Sequence, residues 1–439
     1  MLLAASAAGQ AAKMKQAQQR MDNLDYIGAI ETYNEILESH DEAKAKINLA
    51  EAYRKINDTQ NAEFWYGQVV RLPEAEPVHR LYYGMMLQRN GKCDVAKDWY
   101  QQYVDLVPQD QRGQFLLRAC DYDEELMARG QGIFEVSKCD FNSHSDDFSP
   151  QFYKNGLVFS SERDTNPIVR RTHTWTGNPF LELYYVDVRE KGERSERSER
   201  GEKDEAQPQQ GTCGKYAFGR PEKFSNEINS KFHDASVAFS RNGEEIFFTR
   251  NSLLDGKKEL DDAGIMRLKI FYARSAGEGK WGDLQSLPFN SNEYSVAHPA
   301  LSGDGNRLFF ASDMPGGFGG MDLYYSDKES GRWGPPQNLG PEINTEGHEI
   351  FPHVSPDGKV YFASDGHVGL GGLDIFYITA KEGNVWSTPE NLGYPANTIS
   401  DDFGIVYNPE GTCGFISSDR EGGVGGDDSR RHQDAGRCA

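Results

Sequence analysis

The sequence predicts an α+β, multidomain chain: an N-terminal α-solenoid followed by an all-β propeller of about five or six blades. Three observations predict it. Small residues recur with a period near 34 over the first 110 residues, strand-like runs recur with a period of 53 further on, and 439 residues exceed what one hydrophobic core usually serves.

The helical period is carried by Ala29, Ala62 and Ala96, spaced 33 and 34 apart, each followed four positions later by a tyrosine, Tyr33, Tyr66 or Tyr100. Residues four apart share a helix face. Twelve positions before each alanine stands another small residue, Ala17, Ala50 or Gly84, which lets paired helices approach closely. Together with Tyr53, Leu87 and Pro108, these positions resemble the tetratricopeptide pattern, which implies a concave groove that binds peptides or partner domains. A further helix over Gln111 to Arg129, apolar at Leu116, Leu117 and Leu126, is placed to cap the last repeat.

From about residue 140 the spacing changes to short runs rich in Phe, Tyr, Val and Ile between Gly, Asp and Asn, which reads as strands. The segments HPALSGDGNRLFFASDMPGGFGGMDLYYS from His298 and FPHVSPDGKVYFASDGHVGLGGLDIFYIT from Phe351 align residue for residue. Gly305, Gly358 and Gly411 lie 53 apart, as do Trp333 and Trp386, and looser copies centre on Gly156 and Gly243. Each copy reads as a strand, a tight Asp-Gly or Asn-Gly turn needing positive φ, a second strand, a Gly-rich loop ending in Asp322 or Asp374, and a third strand. Several strands at a fixed period of this length predict propeller blades.

The pattern SPDG…FASD…GGxD…IFY resembles the WD-like, Tol-B-type propeller repeat. Tetratricopeptides followed by these repeats resemble a family of Bacteroidetes envelope proteins. Its members usually end in a peptidoglycan-binding domain like that of outer membrane protein A, and one branch is a periplasmic component associated with type IX secretion. The resemblance implies a periplasmic, outer-membrane-associated location and partners among other envelope proteins, held by the helical groove and the propeller rim. Peptidoglycan would be reached only through a domain that this chain lacks.

Four segments follow. Residues 1–12 (MLLAASAAGQAA) resemble the end of a secretory signal peptide without its basic n-region, 13–130 form the helical array and its cap, and 140–428 form the propeller. Residues 429–439 read SRRHQDAGRCA where the aligned copies have an apolar third strand, so the pattern predicts an aberrant or truncated tail whose Ser429, Arg430 and Arg431 cannot pair into a sheet without cost.

The formal net charge of -21, from 68 acidic against 47 basic residues, repels phosphate backbones and anionic lipid, so nucleic acid is not an expected partner. No run approaches the roughly 18 apolar residues that a spanning helix needs. The six cysteines, Cys93, Cys120, Cys139, Cys213, Cys413 and Cys438, show no CxxC pairing, and their connectivity stays open.

No residue is expected to act in catalysis, hold a cofactor or bind a metal. His348 and His353 of HEIFPH stand five apart, not four, and on a strand. Asp304, Asp357, Asp322, Asp374 and Asp428 recur beside glycines, where short acidic side chains stabilise turns. The Gly-rich loops lack the GK[ST] of a phosphate loop, no GxSxG is present, and the run EKGERSERSERGEKDEAQPQQG from Glu190 reads as a solvated loop. The expected function is therefore a non-enzymatic periplasmic scaffold mediating protein–protein contacts in an envelope assembly. The alternative is a glycan- or peptide-binding, or hydrolytic, propeller with its site on the central axis, which a deep axial pocket with convergent acids would favour.

Overall fold

The structure, a computed structural model, describes residues 2–121, 123–163, 171–190, 216–254, 256–277, 279–381 and 385–434. Most of the charged run after Glu190, together with Cys213, Cys438 and the last five residues, lies outside them.

The helices are α1 (Leu2–Asp22), α2 (Tyr26–Leu37), α3 (Ala43–Lys55), α4 (Thr59–Val69), α5 (Pro77–Arg89), α6 (Cys93–Leu106), α7 (Gln111–Ala119) and α8 (Asp123–Arg129). Residues 2–12 continue directly into the rest of α1. Asp25, Asp58 and Asp110 cap α2, α4 and α7 by accepting from backbone N–H groups of the first turn. Ala29, Ala62, Ala96, Tyr33, Tyr66 and Tyr100 are all fully buried. Each tyrosine hydroxyl finds a partner on a neighbouring helix: Tyr33 accepts from Asn48 (2.6 Å), Tyr66 donates to Glu51 (2.8 Å) and Tyr100 donates to Gln88 (2.6 Å). A Cβ on Gly84 would fall 2.5 Å from the Tyr100 ring, so only glycine lets α5 lie this close to α6. A disulfide, Cys93–Cys120, ties α6 to the end of α7. Ala62 packs with Ala50, Tyr66, Val69 and Met86. We expect Ala62→Leu to destabilise the chain by about 1–3 kcal/mol through overpacking, read as a lower thermal midpoint; an unchanged midpoint would count against this packing.

The strands are β1 (Phe134–Lys138), β2 (Asp147–Tyr153), β3 (Gly156–Ser161), β4 (Glu182–Glu190), β5 (Tyr216–Phe218), β6 (Glu222–Lys223), β7 (Asp234–Phe239), β8 (Glu245–Asn251), β9 (Leu253–Leu254), β10 (Lys257–Lys258), β11 (Leu268–Gly277) and β12 (Lys280–Ser286). They continue as β13 (Val296–Leu301), β14 (Arg307–Ser312), β15 (Asp322–Glu329), β16 (Arg332–Trp333), β17 (Gln337–Asn338), β18 (Glu349–Val354), β19 (Val360–Ser364), β20 (Asp374–Ile378), β21 (Glu390–Asn391), β22 (Asp402–Tyr407), β23 (Cys413–Ser418) and β24 (Asp428–Asp434). Gly243, Gly305, Gly358 and Gly411 all have positive φ and close the turn after the first strand of a unit. Asp322, Asp374 and Asp428 each accept backbone N–H groups of the preceding Gly-rich loop. Trp333 packs edge-on against Phe247, and Trp386 against Phe309.

The predicted fold class, an α-solenoid followed by a propeller of five or six blades, is corrected. The described strands form separate sheets of nine, two, four, five and four strands, and none closes on itself. The first and last units are not independent blades. β24 pairs with β23, with β1 and, at Asp147–Asp428, with β2, and this fuses β1 to β6 and β22 to β24 into the nine-stranded sheet. Nor are the helices a free-standing array. Gln88 donates to the Leu370 carbonyl, Trp175 to that of Lys55, Arg129 to that of Asn391 and Tyr394 N–H to that of Leu126, so the helical layer lies against the sheets.

The cost expected of the tail does not keep it out of the sheet. Ser429, Arg430 and Arg431 do pair with β23, because backbone pairing makes no demand on side chains and the polar groups find local acceptors. Ser429 Oγ donates to the Asp147 carbonyl (2.9 Å), Arg430 to that of Arg420 (3.0 Å) and Arg431 to Ser137 Oγ (3.2 Å). The cost remains visible in the buried Arg430 Nε, which has no partner.

Candidate binding clefts

The first strands of the five units, β2, β7, β13, β18 and β22, carry a β-bulge at matching places. Ser149, Ser236, His298, Phe351 and Gly404 sit there at φ of 51°, 43°, 56°, 51° and 60°. Non-glycine residues in this region are strained and persist only where their surroundings hold them. Here the neighbouring unit does so: Ser149 N–H donates to Ser417 Oγ, Ser236 N–H to Ser160 Oγ and His298 N–H to Thr249 Oγ1. These five strands surround a cavity of only about 30 Å³. His298 stacks on Phe351 at 3.8 Å, and the Phe403 ring lies 4.7 Å from that of Phe351. Burial pushes His298 down to about 3, so its ring is neutral. The expected axial site is thereby corrected: its place is filled with aromatic rings and is far smaller than the roughly 300 Å³ a small-molecule pocket needs.

Acids gather instead where the strands meet the helices. Arg89 of α5 donates to Asp401 (2.8 Å) and more weakly to Asp419 (3.4 Å), and Asn57 donates to both. Burial, and then the neighbouring Asp401 charge, push Asp419 up to about 6; burial and Glu162 do the same to Asp146. Every one of these carboxylates is engaged in joining chain segments: Asp401 accepts from Leu373 N–H, Asp419 from Asp401 N–H and Asp146 from Asp427 N–H.

A cleft of about 440 Å³ lies between β13–β15 and β18–β19. Phe309, Val354, Val360 and Trp386 form its apolar side, and Ser302, Asp304, Asn306, Arg307, Asp327 and Lys328 its polar rim. Arg307 holds Asp327 through two parallel bonds of 2.6 and 2.9 Å and lies 4.1 Å over the Tyr325 ring. Asp304 accepts from Ser302 Oγ (2.5 Å) and Asn306 N–H (3.1 Å), which keeps its carboxyl below the usual range. The rim is thus prearranged by its own bonds, and its two cations balance its two carboxylates.

Other predicted residues are scattered. His348 accepts from Met321 N–H and His353 from Tyr407 N–H, in different neighbourhoods. Sequence reasoning missed a recurring buried carboxylate that opens the first strand of four units: Asp147, Asp234, Glu349 and Asp402. Each accepts the N–H of the Ser or Thr four residues earlier, at Ser143, Ser230, Thr345 and Thr398. Arginines meet three of them, as Asp147–Arg163, Asp234–Arg250 and Asp402–Arg420. The pattern [ST]xxx[DE] at each strand start was the available signal.

No family model and no curated protein matches the chain. Among solved structures it is similar to a puromycin-hydrolyzing peptidase of Mycobacterium tuberculosis, at 13% identity and a TM-score of 0.33, over 64% of this chain but only 46% of that one. It is also similar to an endo-arabinase from Bacteroides thetaiotaomicron, at 12% identity and a TM-score of 0.36 over 66% and 94% of the two chains. An N-acetylgalactosamine deacetylase from F. plautii shows 11% identity and a TM-score of 0.38 over 67% and 90%. These similar structures are enzymes, so the expectation that this chain is not an enzyme is withdrawn. TM-scores below 0.5 leave the substrate and any reaction of this chain to be argued from its own residues.

Proposed function

We propose that this protein binds an uncharged glycan chain in the cleft between the β13–β15 and β18–β19 strands. The observation that carries the reading is the pairing of an apolar floor, to which the largely buried Phe309 and Trp386 contribute, with a charge-balanced rim of Asp304, Asn306, Arg307, Asp327 and Lys328. The apolar face of a sugar suits such a floor, while its hydroxyl groups need carboxylate, amide and cationic partners fixed in advance. A rim with no net charge does not select a polyanion. The filled centre of the sheets, at about 30 Å³, supports a peripheral ligand.

The Cys93–Cys120 disulfide supports placement in an oxidising compartment, which fits the proposed periplasmic location and envelope family. Among the described residues no helix is long and apolar enough to cross a membrane.

Binding of neutral and anionic oligosaccharides, measured by glycan array and then calorimetry, tests the proposal, with released sugars assayed in parallel. Val354→Phe, which fills the cleft, and Lys328→Ala, which removes a rim donor, are each expected to weaken a neutral ligand by roughly tenfold or more. Unchanged affinity in both variants would place the ligand elsewhere, and preference for polyanions would contradict the charge argument.

A further inference from the structure

We infer that the helical layer closes onto the sheets through a pH-sensitive latch, in which Arg89 enters a group of carboxylates on the loops between strands: the contact is tight at acid pH and loosens towards neutrality. This concerns the joint between two parts of the fold and does not depend on the glycan cleft.

The two parts have separate cores. Among the described residues, the buried apolar clusters around Tyr33, Tyr66 and Tyr100 draw only on residues 14–120. The remaining clusters draw only on residues after 133, and none spans both parts. Polar contacts join them. The Arg89 side chain, 13% exposed, donates to Asp401 and Asp419, Asn57 donates to the same two carboxylates, and Trp175 Nε1 donates to the Lys55 carbonyl at 3.0 Å. A Cβ on Gly372 would collide with Asp401 and fall 3.1 Å from the Arg89 guanidinium carbon, so glycine lets this loop lie under Arg89. The buried Arg89 Nε has no partner, so the guanidinium is only partly satisfied.

From the helices, Arg89 and Lys55 face this joint, and Lys55 also lies 3.9 Å from Glu51. From the sheets, Asp365, Asp401 and Asp419 meet Arg89, and Asp427, with Asp146 and Glu162 beside it, adds to the group. The other cations of these loops are committed: Arg163 to Asp147, Arg420 to Asp402 and His173 to Glu162, while Arg430 lies beside Asp428. Carboxylates thus outnumber the cations that can neutralise them, and like charges in a partly buried setting repel. Burial first, and then Asp401, push Asp419 up to about 6, although Arg89 pulls the other way. Burial and the Asp146 charge raise Asp427 as well. Opening returns Asp419 to water and towards its ordinary value of 3.8. A carboxyl raised in the closed form stabilises that form fully below its ordinary value, and the contribution is lost as pH rises through the raised one.

Hydrogen exchange of the full chain, corrected for the intrinsic pH dependence of each amide, reads the opening. The reporters are the amides of Leu373, which donates to Asp401 Oδ1, and of Asp401, which donates to Asp419 Oδ1; the references are amides of β14 and β15. Opening at the reporters is expected to rise roughly twentyfold between about pH 4.5 and 7 and little beyond, with the references unchanged. Asp419→Asn, which keeps an acceptor but cannot titrate, is expected to remove most of that rise. Arg89→Met is expected to speed reporter exchange roughly tenfold at both pH values, again without effect on the references. The wild-type profile needs no variant, so it remains decisive should either substitution misfold. A flat reporter profile, or one that opens towards acid pH, would overturn the inference. So would references that follow the reporters, since the chain would then open only by unfolding as one unit.

Discussion

Replacing Arg250 with methionine is expected to lower the unfolding free energy by about 3–5 kcal/mol, among the largest effects of any single substitution in the chain. Arg250 is 5% exposed and bonds Asp234, which is fully buried, at 2.5 Å, while its other arm donates to the Ile228 carbonyl. Asp234 also holds Ser230 N–H at 2.5 Å, so the carboxylate fastens the loop that enters β7. Without the guanidinium, a carboxylate is left in an apolar setting made by Phe248 and Phe271, whose rings lie under Arg250. The double variant Arg250→Met with Asp234→Leu is expected to recover most of the loss, because an apolar pair of similar size carries no desolvation cost. Urea unfolding of the two single variants and the double variant checks this; additive losses would mean that the pair is not coupled.

Glu349→Gln is expected to act through pH. Glu349 occupies the same structural place as Asp234 but has no arginine, and accepts instead from Thr345 N–H (2.8 Å), Thr345 Oγ1 (2.7 Å) and Ser364 Oγ (2.7 Å). Burial pushes its carboxyl up to about 8. A carboxyl raised in the folded state contributes stability that is complete below its unfolded value, near 4.5, and is lost as pH rises through its folded value. The wild-type chain should therefore lose stability between pH 4.5 and 8 relative to Glu349→Gln, at up to about 1.4 kcal/mol per pH unit. Other groups cloud the lower half of that window. Asp146 and Asp419, raised to about 6, act in the same direction. His233, His298 and His353, lowered to about 3 by burial, act in the opposite one, costing stability as pH falls below 6.5. The comparison belongs between pH 6.5 and 8, where parallel stability curves for the two proteins would contradict a protonated Glu349.

How much of this could be read from the sequence depends on which physical signal each feature leaves. The helix contacts at Ala62 and Gly84 and the turns at Gly305, Gly358 and Gly411 left plain signals, because close approach and positive φ restrict residue identity severely. Sheet membership left none: the pairing of β24 with β1 joins Phe134 to Asp434, three hundred residues apart, and no local pattern reports it. The pairing of the tail is hard to read for a related reason. Side-chain polarity at Ser429 to Arg431 makes a strand there look costly, yet the backbone pairs regardless and acceptors on Asp147, Arg420 and Ser137 absorb much of that cost. The cleft was half legible. Trp386 stood out as a repeat position, but Arg307, Asp327 and Lys328 become a rim only when β14 and β15 lie side by side.

Hydrogen exchange with and without a bound neutral oligosaccharide tests the central claim most directly. The account predicts new protection confined to the turn from Ser302 to Asn306, to Asp327 and Lys328, and to the backbone around Val354 and Trp386, with the strands around Phe351 and His298 unaffected. Protection centred on Ser149, His298 and Phe351, or at the Arg89–Asp401 junction with the cleft unchanged, would contradict it.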